Sequence, residues 1–264
     1  MHSRSMTLFT VAALALATGC STLKTQRSRL DGVQTAAVIA YSADVDLNNG
    51  RNNQAGNGGV IGMVNAATAI SDMSSGEMQQ EREDQAIGTY ESLLANITQG
   101  TGWKLIQREQ ITAHPRYMAA FETYKSNFSG LTGTMGSIRQ VPKLLMHHTG
   151  VALTEAERQE IMDGLKVDAV IVVRVRFVRG GSTGFAIGGI GKTGVLPKAI
   201  VDLTAWDRQG GEPIWRDSWA EGEAGSTGIE TTMGVVDDDQ LTQGMEEAAQ
   251  LAYKVLMDRY RTGG

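Results

Sequence analysis

A single α/β domain, built on one mixed β-sheet flanked by helices, is what this sequence predicts over residues 33–261. Three observations carry the prediction. Residues 168–178 (DAVIVVRVRFV) form an apolar run that turns into strict alternation, with Arg174 and Arg176 on the face opposite Val173, Val175 and Phe177. Two segments, 84–97 and 239–260, repeat apolar residues at helical spacing. The order is strand, helix, strand, helices, then a meander of three strands and a closing helix, with no internal repeat and no linker dividing it.

Taken in order, residues 35–43 (TAAVIAYSA) are apolar and partly β-branched, the pattern of a buried strand. Residues 48–59 (NNGRNNQAGNGG) read as a loop by composition. Residues 60–73 are apolar and rich in small side chains, a helix that can approach its neighbour closely. The helix over 84–97 presents Ile87, Tyr90, Leu93, Leu94 and Ile97, and Gly100 and Gly102 end it before a short strand at 103–106. Residues 109–128 are helical with a break at Pro115, 129–136 a loop, and 141–148 the start of a short helix. Thr154 and Glu157 make a capping box, so 155–165 is helical. The glycine-rich stretch 180–194 reads as a mobile connection between the strand at 168–178 and a second at 198–207. A turn at 208–213 leads to a third strand, 214–224. The acidic run Asp237 to Asp239 opens the final helix and complements its dipole.

Composition narrows the function classes. The chain has 264 residues, 32 of them glycine, without the period of a collagen-like repeat. Its single cysteine excludes a disulfide scaffold and any Cys-based zinc or iron–sulfur cluster. A formal charge of −5 argues against a nucleic-acid partner.

Several motifs suggest chemistry and lack its context. Residues 186–193 approximate a phosphate-binding loop, and 189–194 a dinucleotide fingerprint. Both need a helix immediately afterwards to present its N-terminus to phosphate, and Gly194 and Pro197 prevent one, so no nucleotide is expected. His147 and His148 are adjacent and point about 100° apart on a helix, which does not suit one shared metal ion. No serine elbow, cysteine nucleophile or zinc-protease helix occurs. The reading is therefore of a protein that is not an enzyme, with no catalytic residue, metal or cofactor assigned. Trp206, Trp215 and Trp219 fall within the strand meander, with Trp215 and Trp219 expected on one face, where they offer a stacking surface for a cell-wall glycan or a protein. Arg174 and Arg176 are expected to pair with Asp202 and Asp217 in a charge ladder.

The N-terminus carries an address. Arg4 precedes an apolar run at 8–17 (LFTVAALALA), too short for a permanent bilayer span and of signal-peptide length. Ala17, Thr18 and Gly19 then lead into Cys20, the only thiol. This arrangement resembles the lipobox of bacterial lipoproteins, with Ala17 where leucine is usual. The resemblance implies a signal peptide over 1–19, a lipidated (palmitate-bearing) Cys20, and a short tether over 20–32. Ser21 rather than aspartate resembles lipoproteins sent on to the outer membrane, with the folded part in the periplasm.

The succession of segments resembles a family of periplasmic lipoproteins that includes the curli-secretion protein CsgG, the penicillin-binding-protein activator LpoB and TolB-N-terminal-like proteins. The junction of WKLI with Arg108, Glu109 and Gln110, and the entry from Leu165 to Ala169 into a long strand, carry most of the likeness. It implies a non-enzymatic envelope module that assembles with itself or with a protein partner in envelope biogenesis or secretion. Residues 180–197 lack the alternation that a membrane-inserted hairpin requires, so a tethered module rather than a pore is expected. The glycine loops 48–62 and 180–194 are the expected contact surfaces. The alternative is a glycan-binding lipoprotein using the three tryptophans.

Overall fold

The computed structural model describes residues 23–46, 76–128, 138–187, 190–225, 228–230 and 238–263. Within them, one mixed sheet of eight strands is flanked by helices on both faces. The strands are β1 (Leu23–Thr25), β2 (Thr35–Asp46), β3 (Lys104–Leu105), β4 (Ile138–Gln140), β5 (Ala169–Ile187), β6 (Ile190–Asp207), β7 (Trp215–Glu223) and β8 (Gly228–Glu230). The helices are α1 (Arg27–Leu30), α2 (Gly76–Thr101), α3 (Arg108–Thr112), α4 (Pro115–Phe128), α5 (His147–Ala152), α6 (Glu155–Leu165) and α7 (Asp238–Thr262). The sheet order is β1-β7-β6-β5-β2-β3, with β4 also on β2 and β8 also on β6. Only β2 with β5 and β2 with β3 run parallel; the other named strand pairs are antiparallel.

The central parallel pair explains its own sequence. A strand covered on both sides needs apolar residues at every position. Residues 36–41 of β2 and 169–173 of β5 are all buried. On one face lie α2 and α7: the Tyr41 hydroxyl donates to Thr89 Oγ1 at 2.8 Å, and Tyr253 donates to the Thr89 carbonyl at 3.1 Å. On the other lie α5 and α6. Gly150 of α5 comes so close that a Cβ there would stand 2.4 Å from the Ala40 Cβ. The Arg158 guanidinium of α6 sits 4.4 Å from the centroid of the Trp206 ring. The register of β2 shifts between Val38 and Ala40, and the Tyr117 hydroxyl of α4 donates to the Ile39 carbonyl at 2.6 Å beside that irregularity.

Helix ends follow local chemistry. Thr154 Oγ1 accepts from the Glu157 N–H at 3.2 Å, while the Glu157 carboxylate accepts from the Thr154 N–H at 2.7 Å. The same device starts α3, where the Gln110 side chain accepts from the Gln107 N–H at 3.2 Å. Asp168 accepts from the N–H groups of Gln34 and Thr35 at 3.0 and 2.8 Å, fastening the entry of β5 to that of β2.

Three expectations need correction. The tether expected over 20–32 gives way from Leu23 onward to folded structure: β1 pairs with β7 and α1 follows it. Arg29 donates to Asp207 through Nε at 2.9 Å, Lys24 pairs with Glu212, and Leu30 enters the core. A three-residue polar strand has no periodicity of its own; the edge of β7 orders it. The glycine stretch 180–194 is not a loop, because its described residues extend β5 and β6 as a ladder from Ser182 opposite Val195 to Ile187 opposite Ile190. The helix expected to begin at 141 begins instead at His147, after β4 and a turn in which Lys143 has φ +63°. The loop at 48–62, the helix expected at 60–73, the loop at 129–136 and Cys20 lie outside the described residues.

Candidate functional site

Beyond α5 the second face of the sheet is not roofed by a described helix, and here the strands carry charge. The β5–β6 register sets Arg174 opposite Asp202 and Arg176 opposite Ile200. Arg174 donates to Asp44 at 2.5 Å, Arg176 Nε stands 3.3 Å from Asp202, and Lys198 pairs with Glu221 at 2.5 Å. The expected ladder thus holds for Asp202 and gains Asp44. Asp217 is not part of it. It lies fully buried on the opposite face, 2.9 Å from the Arg259 guanidinium of α7.

The difference comes from a β-bulge. Val201 stands opposite Ala220 and Asp202 opposite Ser218, so Trp219 is the additional residue. Its φ is +85°, a conformation that an aromatic residue adopts only when its surroundings hold it there, at a cost of about 1–3 kcal/mol. Trp219 is 44% exposed, and its ring faces the Arg176 guanidinium at 4.8 Å. One inserted residue breaks the two-residue period of the strand. Trp215 and Trp219 therefore do not share a face, contrary to expectation. Trp215 is buried on the other side, 4.7 Å from Tyr260 and 6.2 Å from Trp103. Trp206 is buried beneath Arg158. The three tryptophans do not converge on one surface.

His147 borders the charged face. Burial, and then the Arg174 charge, push its pKa down to about 4, so it is neutral at pH 7. His148 is shifted down for the same first reason. His114 lies elsewhere, packed on Gly164 of α6. Among the described residues no group of three or more His, Cys, Asp or Glu is gathered as a metal site. The phosphate-loop residues that are described, including Lys192 opposite Phe185, belong to the hairpin ladder, and β6 rather than a helix follows them. Among the described residues, no helix is long and apolar enough to cross a membrane.

The described chain is thus an α/β domain of mixed sheet and flanking helices, with an ion-paired sheet face that displays one aromatic ring. No protein-family model matches the sequence, and the search of curated proteins finds no match.

Proposed function

We propose that this chain is a periplasmic lipoprotein anchored to the outer membrane through Cys20, acting without catalysis as an interaction module in envelope assembly or secretion. The observation that carries the interaction reading is the β5–β6 hairpin. It continues past the last β2 pairing, Asp46 opposite Val178, as a ribbon reaching Ile187 and Ile190. Beyond Val178 the β5 side of this ribbon has no strand partner among the described residues, while β8 lies along β6. A strand edge of this kind binds extended segments through main-chain hydrogen bonds. The partner is an envelope protein or a second copy of the chain, consistent with the resemblance to CsgG and LpoB.

The test is to replace residues 180–196 with Asn-Gly, closing the hairpin at Arg179 and Pro197, and to cross-link in intact cells. The expected result is loss of the cross-linked species with the thermal melt retained. Cross-linking that survives the deletion would refute the assignment. The glycan reading retains only Trp219 as an exposed ring, which makes it the weaker one.

A further inference from the structure

We infer that the β1–β7 edge of the sheet lies against the lipid headgroups, with Trp219 as its interfacial anchor. This rests on the anchor reading above and adds a membrane-facing surface to it. Two independent features of the molecule support it.

The first is the length of chain between anchor and fold. Only Ser21 and Thr22 separate Cys20 from Leu23, the first residue of β1. A chain spans at most about 3.6 Å per residue, so Leu23 lies within about 11 Å of the lipidated residue. The edge strand therefore rests at the membrane surface, without the freedom of a long tether.

The second is what that edge displays. In the antiparallel register Leu23 faces Asp217, two positions before Trp219 along β7. Strand spacing puts the Trp219 backbone about 9 Å from that of Leu23. Val151, Trp219 and Val255 are the exposed large apolar side chains among the described residues, and Trp219 is the aromatic one. The bulge in β7 sets it on the charged sheet face next to this edge, with its ring 4.8 Å from the Arg176 guanidinium. Tryptophan favours the headgroup level, where its ring is half buried and its N–H stays hydrated. Arg216, exposed and opposite Lys24, supplies positive charge at the same edge for anionic headgroups.

The test uses the full lipidated chain in phosphatidylethanolamine/phosphatidylglycerol vesicles whose acyl chains carry bromine, a contact quencher of tryptophan. Trp103, Trp206 and Trp215 are buried in the protein and out of its reach. Emission is expected to fall by about one part in four, the share of one tryptophan among the chain's four. Trp219→Phe, checked for an unchanged melt, is expected to remove the bromine effect. Palmitate labelling reads the anchor separately. An unlabelled chain overturns the anchor and this surface together; a labelled chain with unchanged emission, or quenching that persists in Trp219→Phe, overturns the surface alone. A photo-cross-linker at position 219 that captures protein instead of lipid in intact cells also overturns it.

Discussion

Asp217 has no exposed surface beneath α7, and burial raises its pKa to about 6 even though Arg259 opposes the shift. His147 is shifted the other way, down to about 4. Between pH 4 and 6 the folded state holds a proton on Asp217 that the unfolded chain releases, so acidification through this window stabilises the fold. Over the same window the unfolded chain protonates His147 and the folded one does not, so acidification destabilises it. Each slope is at most about 1.4 kcal/mol per pH unit, and less for His147 because solvent screens its exposed part. The two oppose each other. Asp217→Asn is expected to lose stability as pH falls from 6 to 4, whereas His147→Gln is expected to gain it, both read by urea unfolding across that range. Tyr117 offers a second check. Its hydroxyl donates to Ile39 and accepts from the Leu145 N–H at 2.8 Å, all of it buried. Tyr117→Phe should cost about 1–3 kcal/mol in urea unfolding, by leaving both backbone groups unsatisfied. The pairing of Arg176 with Asp202 follows from strand alternation, so it is readable in the sequence. The exposure of Trp219 is not, because it depends on a bulge set by how two strands register.

Among the elements, those with local signals were readable and those ordered by partners were not. The capping box at Thr154 predicts α6, which runs from Glu155 to Leu165. Gly102, at φ +76°, terminates α2 just after Thr101. By contrast, residues 180–187 are poor strand formers by composition and become strand through the ladder with β6. The docking of α7 on the sheet is equally hidden in the sequence. At Gly222 a Cβ would stand 2.2 Å from the Ala252 backbone nitrogen and 2.4 Å from the Ala248 carbonyl oxygen, backbone atoms that cannot rotate away. Gly222→Ala is therefore expected to push α7 off β7 and lower stability by about 1–3 kcal/mol or more, measured by thermal and urea unfolding.

For the molecule as a whole, the class of fold was readable because strand and helix periodicities alternate along the chain. Where the fold begins was not. Residues 23–32 contribute the buried Leu30, the Arg29–Asp207 pair and the edge strand β1. Burying one leucine stabilises by about 1.5–3 kcal/mol. A chain starting at Val33 is expected to melt on the order of 10 °C below one starting at Ser21, given about 2–4 °C per kcal/mol for a domain of this size. Equal melting temperatures in calorimetry would show that this segment is a mere appendage.

The pairing of β1 with β7 also orders events in time. Lys24 and its partner Glu212 are separated by 188 positions in the chain. A contact so distant in sequence closes late, since the intervening chain must first be gathered. In a chain synthesised N-terminus first, β1 appears early and waits for β7 through most of the sequence. Its few polar residues suit that interval, because a short, charged strand is a poor template for pairing with a neighbouring nascent chain. The sheet therefore gains its β1 edge only after most of the chain has been made, and α7, which packs on β7 and whose Tyr260 accepts from Arg27, closes over it later still.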